Sequence, residues 1–264
     1  MTRIKTIIVP FDFSHAGKIG LQYALTLFGL DNAVKIIAVH SVINNPEDDS
    51  RKEFQAYILS QKKLYKIPPT LEITNSPLVQ GVNAVANKYA ADLIIIGTGD
   101  HTHVLEGGTL SKATTLVMHS SHPVITVSTN FSIEKPKEIA LLLGKDEIDR
   151  VNVLETLLKI TRRFKAKVHV LTIYQDHIFF GEKDYEVSES NDETLEYYLE
   201  HFYEEHSFAQ FADIEKGIQN YIKKHNIDML AILPRHHATK TEPSEGRLTK
   251  LLTLHSSIPV LALI

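Results

Sequence analysis

The sequence predicts an α/β protein made of two tandem doubly wound domains, each a five-stranded parallel sheet with helices on both faces. Three observations carry that prediction. Segments in the two halves resemble each other at a fixed offset of 136 residues: ADLIIIGTGDH at 91–101 against IDMLAILPRHH at 227–237, and HSSHPVITV at 119–127 against HSSIPVLAL at 255–263. Two copies are too few for a solenoid, which needs about three, so a duplicated domain is the reading. The short apolar runs are continuous rather than alternating, as in strands covered on both faces. Helical patterns separate those runs, the signature of βαβ units.

The elements follow in order. Candidate strands of the first half are Thr6–Phe11, Val34–His40, Leu93–Gly97 and Val124–Ser128, with a weaker one near Leu71–Asn75. Their counterparts are Ile139–Gly144, Val168–Ile173, Met229–Leu233 and Val260–Ile264, with a weaker one near Phe208–Phe211. Helical patterns cover Lys18–Leu27, Glu53–Tyr65, Val79–Tyr89 and Lys112–His119, then Val151–Phe164, Thr194–Glu205, Asp213–His225 and Leu248–His255. The polar, proline-containing stretch Thr129–Lys137 reads as the linker, giving domains 1–130 and 137–264. Identical residues recur at matched positions, including Gly81/Gly217, Asp92/Asp228, His119/His255 and Ser120/Ser256. Gly81 and Gly217 suit close helix–sheet packing, and His119 and His255 suit a helix C-terminus, where a cationic ring complements the dipole.

Composition narrows the function. In 264 residues, 28 basic and 32 acidic side chains give a net charge of −4, with pI near 6.4. Nucleic-acid binders usually carry a basic face and a pI above about 9, so none is expected here. Cysteine is absent, which excludes disulfides, thiolate catalysis and Cys-ligated zinc. No run approaches the ~20 apolar residues of a membrane span or the h-region of a secretory signal. The expectation is a cytoplasmic protein that binds no membrane.

In an open α/β sheet a ligand sits beyond the carboxyl ends of the strands, where strand order reverses. That selects Pro10-Phe11-Asp12-Phe13-Ser14 after the first strand and the segment from Gly97 to Ser111 after the fourth. The helix starting near Ser111 offers unpaired N–H groups and a positive dipole end, suited to phosphate. Ser111 equally suits a plain N-cap.

VPFDFS after the first strand, IIIGT in the fourth, and HSSHPV repeated as HSSIPV resemble the universal stress protein family, in its tandem two-domain form. The resemblance covers almost the whole chain and implies the Rossmann-like, adenine nucleotide alpha hydrolase-like fold. Nucleotide-binding members place ATP at the switch point with an Asp after strand 1, a backbone position in strand 2, and a Gly-x-x-Gly-x9-Gly-Ser/Thr loop. Carried onto this chain, Asp12 matches the Asp, with Pro10 before it, and Val39 falls at the strand-2 position. Gly97 and Thr98 open the loop, and Ser111 supplies its hydroxyl. Asp100 stands at the second glycine and Leu110 at the third; Gly107 and Gly108 could shift the turn and compensate. A carboxylate at Asp100 opposes a triphosphate unless screened. The second half departs further, with Leu233, Pro234 and Arg235 at the loop start and Gly246-Arg247 at its end.

The resulting expectation is a non-enzymatic stress-response or regulatory protein with a degenerate nucleotide site kept in part in the first domain, where ATP is the candidate ligand. Protein partners are a further expectation. The terminal strands Pro123–Ser128 and Pro259–Ile264 are expected to pair, making an intra-chain pseudo-dimer that could dimerise further. Two alternatives stay open. One is weak nucleotide hydrolysis at Asp12 or Asp100 with Mg²⁺. The other is a metal-binding module of loop histidines, His101 and His103 with Asp100 and Glu106. No Walker motif and no G-x-S-x-G elbow occurs, and no catalytic triad can be placed.

Overall fold

The computed structural model describes residues 3–43, 48–99, 111–143, 151–174, 195–210, 214–234, 249, 252–253 and 256–264. They form two compact units: Met1–Lys135 with Pro234–Ala262 and Ile264, and Pro136–Leu233 with Leu263.

In the first unit, strands β1 (Thr6–Pro10), β2 (Lys35–Ser41), β3 (Thr70–Thr74), β4 (Leu93–Thr98) and β5 (Val124–Ser128) lie parallel in the order β3-β2-β1-β4-β5. Helices α1 (His15–Phe28), α2 (Asp48–Ser60), α3 (Leu78–Lys88) and α4 (Lys112–His119) connect them. The apolar runs form the central strands because both their faces are covered: Ile7, Ile8, Val9, Ile37, Ile94 and Ile95 are wholly buried. Burying such a side chain contributes roughly 1.5–3 kcal/mol. Helix α1 starts at Ser14, whose Oγ accepts from the Gly17 N–H at 3.1 Å. It packs on β4 through facing glycines: a Cβ on Gly20 would lie 2.7 Å from the Gly97 nitrogen. Phe11, just past β1 and wholly buried, meets Phe54 and Tyr57 of α2 at ring separations of 5.4 and 5.5 Å. Gly81 has the packing role expected of it, since a Cβ there would meet the Thr74 side chain at 2.5 Å.

The second unit runs β6 (Glu138–Leu143), α5 (Glu155–Phe164), β7 (Lys167–Tyr174), a short α6 (195–199), β8 (Tyr203–Gln210), α7 (Ile214–His225) and β9 (Met229–Ile232). Its strands lie parallel in the order β9-β6-β7-β8. The helix expected over Thr194–Glu205 is corrected: helix ends at 199, a 3₁₀ turn spans Glu200–Phe202, and Tyr203 begins a strand. Glu204 and Glu205 stand at the start of this strand, and an edge strand tolerates charge on both faces. The helix expected from Val151 likewise opens as a 3₁₀ turn over Val151–Leu154. The last strand, β10 (Val260–Ala262), pairs antiparallel with β5, Val260 opposite Thr126 and Ala262 opposite Val124.

The repeated residues do the same structural work twice. Asp92 accepts from the N–H groups of Lys5 and Thr6 at 2.8 and 3.1 Å, anchoring the start of β1. Asp228 accepts from those of Lys137 and Glu138, at 2.8 and 3.3 Å, at the start of β6. Ser120 donates to the His122 carbonyl at 2.9 Å, as Ser256 does to that of Ile258 at 2.7 Å.

Candidate functional site

The strand order reverses between β1 and β4, and there the first unit has a cleft of about 410 Å³. Pro10, Asp12, Gly97, Thr98 and Ser111 all line it, so the structure brings five of the seven expected residues together.

Two helices start at this cleft, each capped by a serine. Ser14 caps α1 as described. Ser111 caps α4, its Oγ accepting from the Thr114 N–H at 3.0 Å. Both caps leave neighbouring N–H groups and a positive helix end facing the cleft. The Asp12 carboxylate sits between them. It accepts from the Ser14 N–H at 3.2 Å and from the Ser14 hydroxyl, and Lys112 lies 3.6 Å away. Partial burial pushes its carboxyl up, but the two Ser14 donors and the Lys112 ammonium outweigh this and hold it below the ordinary 3.8. The ion pair is open to solvent, with side-chain exposures of 71% for Lys112 and 43% for Asp12. Its worth to stability is therefore small. Gly17 makes room for the carboxylate, since a Cβ there would stand 2.8 Å from Asp12 Oδ1.

Gly97 has a packing role alongside its place in the cleft. A Cβ on it would fall 1.8 Å from the Ala16 carbonyl oxygen. Thr98 is buried, and its carbonyl accepts from the Thr129 N–H at 3.1 Å. Val39 is not among the lining residues: it is wholly buried and its carbonyl accepts from the Phe11 N–H at 2.8 Å. Peptide groups alternate along a parallel strand, so those of Ser41 face the same side as those of Val39, where β1 has already ended. Gly108 lies outside the described residues, as do Asp100, Gly107 and Leu110. So do His101, His103 and Glu106, on which the loop-metal expectation rested, and Arg235, Gly246 and Arg247 of the second half.

A model of the universal stress protein family matches residues 3–128, which carry the whole cleft. The first half of the chain, residues 3–128, thus matches the universal stress protein family. Its fold resembles that of a universal stress protein from Archaeoglobus fulgidus DSM 4304, with 12% identity over 99% of each chain and a TM-score of 0.69. It also resembles the cytoplasmic domain of a prokaryotic cation chloride cotransporter, at 8% identity over 99% of this chain and 95% of that one, TM-score 0.58. At such identities the likeness shows the fold alone, which is shared by proteins of different function. No curated protein matches by sequence. The tandem Rossmann-like α/β architecture expected for a universal stress protein is what the chain has. No helix among the described residues is long and apolar enough to cross a membrane.

Lys112 is the cleft residue that the sequence reasoning missed. Its signal was present: a basic residue directly after a hydroxyl-bearing N-cap, in the segment the switch-point rule places opposite Asp12. His119, in the last turn of α4, directs Nδ1 to the Thr115 carbonyl at 2.9 Å, in keeping with a structural role.

Proposed function

We propose that this universal stress protein is a non-enzymatic, cytoplasmic regulator whose first domain, residues 1–130, binds an adenine nucleotide as a signal, while the second, residues 137–264, has lost that ability. The observation that supports this reading is the convergence of two serine-capped helix N-termini and the Lys112 ammonium on one cleft at the strand-order reversal. Such a constellation recognises phosphate oxygens through N–H groups and one mobile cation. Pro10, Asp12, Gly97, Thr98, Gly108 and Ser111 are the proposed contacts, and Ser41 rather than Val39 presents its backbone to the base. Asp12 opposes the phosphates by like charge, which favours a nucleotide with fewer phosphates or one accompanied by a cation.

The test is calorimetric titration of the whole protein with ATP, ADP and AMP, alongside an assay for ATP turnover. The expected result is saturable binding, weakened tenfold or more in Lys112→Ala, with no turnover. Failure of all three nucleotides to bind at millimolar concentration would overturn the reading. Steady turnover lost in Asp12→Ala would replace it with the hydrolase.

A further inference from the structure

We propose that the second unit carries a divalent transition-metal site, suited to Zn²⁺, with His169, Glu205 and His225 as ligands and Glu138 orienting His169. The site lies on strands and a helix remote in sequence from the loop histidines considered above. His169 is on β7, Glu205 on the adjacent β8, His225 is the last residue of α7, and Glu138 begins β6 on the other side of β7.

The backbone is arranged to bring these groups together. The β7–β8 register pairs Val168 with Tyr203, then shifts so that His169 faces Glu205 instead of Glu204. An irregularity of this kind re-aims one side chain, and bulges recur beside functional sites. Glu205 Oε1 is then 3.0 Å from His225 Nδ1 and 3.4 Å from His169 Nδ1. One ligand atom from each of the three residues lies within 4.8 Å of the other two. Zinc bonds of about 2.0–2.1 Å in a tetrahedron put neighbouring ligand atoms about 3.3 Å apart, between those two spacings. Two imidazoles and a carboxylate, with the fourth position left to water, is an established zinc ligand set.

The surroundings fit the same chemistry. His169 Nε2 is 2.7 Å from Glu138 Oε2. A carboxylate on the far ring nitrogen is the usual orienting partner of a metal-bound histidine. With the proton on Nε2, the Nδ1 lone pair points at Glu205, and two acceptors face each other across 3.4 Å. A cation between them resolves that opposition. A divalent ion also balances the charges of Glu138 and Glu205. Tyr221 stacks on the His225 ring at 4.1 Å and directs its hydroxyl to Glu205 Oε1 at 3.4 Å, holding both ligands. The His169 side chain is 8% exposed and that of Glu205 42%, so the site is closed on the histidine side and open to water on the other.

The competing account is a metal-free ion-pair network around a protonated His169. The whole protein, stripped with chelator and dialysed, would be titrated with ZnCl₂ by calorimetry and with CoCl₂ by visible absorption. One Zn²⁺ per chain is expected, with Co²⁺ giving the intense bands of tetrahedral coordination. Glu205→Gln and His225→Ala should each weaken binding a hundredfold or more, and Glu138→Gln by about 10–100-fold. The double variant His101→Ala/His103→Ala should leave binding unchanged. Circular dichroism separates lost binding from lost folding, and the wild-type Co²⁺ spectrum decides the matter if a variant unfolds. Stoichiometry well below one, an octahedral Co²⁺ spectrum, or full binding in folded Glu205→Gln and His225→Ala would overturn the site.

Discussion

Replacing Gly97 by alanine tests whether the α1–β4 contact positions the cleft. The new Cβ would sit 1.8 Å from the Ala16 carbonyl oxygen and 3.0 Å from the Gly20 nitrogen, both backbone atoms that cannot rotate away. Lengthening the first contact from 1.8 Å to 3.0 Å, about the least a Cβ tolerates, moves α1 off β4 by about 1.2 Å. That displacement opens the layer in which Leu21, Ala24 and Leu25 are wholly buried. A gap of 0.5–1 Å already forfeits about a quarter to a half of each contact's dispersion energy. Added to an overpacking cost of about 1–3 kcal/mol, the loss should be about 3 kcal/mol or more. In a urea titration followed by circular dichroism, this is a midpoint lowered by about 1.5 M or more at an m-value of about 2 kcal/mol/M. Gly99→Ala is the control. Gly99 lines the same cleft, but its Cβ would meet nothing within 4 Å, so stability should stay within about 0.5 kcal/mol of wild type. Equal midpoints for the two variants would refute the close-approach argument.

Lys165 closes α5 in the left-handed conformation (φ 56°, ψ 38°) with an exposed side chain, so Lys165→Gly should raise stability by about 0.5–1 kcal/mol in the same titration. The Asp12 carboxyl is held below its ordinary 3.8 in the folded protein, so what its charge contributes is present above that value and lost as pH falls through the lower folded one. Stability measured against pH should therefore show Asp12→Asn below wild type at neutral pH, with the gap closing in acid; a constant gap would contradict the argument. Burial pushes the Tyr57 hydroxyl up to about 12 from 10.0, so the unfolded chain ionises first and stability drains between those values. Tyr57→Phe should flatten that alkaline loss in denaturation curves taken from pH 9 to 12.

Much of the fold was legible because burial on both faces of a sheet demands unbroken apolar runs. Val124–Ser128 and Lys112–His119 have the bounds their patterns gave, and Leu93–Thr98 is one residue longer than expected. The repeat was legible for the same reason: Asp92 with Asp228, and Ser120 with Ser256, hold matching turns, so the duplication recorded architecture more than chemistry. Strand β8 was legible only at its end, near Phe208; its start was read as helix, since YEEHS is polar and its strand character depends on β7 beside it. Within the cleft, Pro10, Asp12 and Ser111 followed from the switch-point rule and the family pattern. Counting along strand 2 pointed to Val39, but only the observed register shows which peptide groups face the end of β1. His169, Glu205 and His225 share no spacing that a motif could encode, because a bulge and a helix end bring them together.

The pairing of β10 with β5 also sets an order of events. Strand β5 is complete at Ser128, and its partner β10 is made only after the intervening residues 129–259 have been translated. During that interval the growing chain carries an open, apolar strand edge, the feature most prone to mispairing between nascent chains. A chain interrupted anywhere between Ser128 and Val260 would leave that edge of β5 bare.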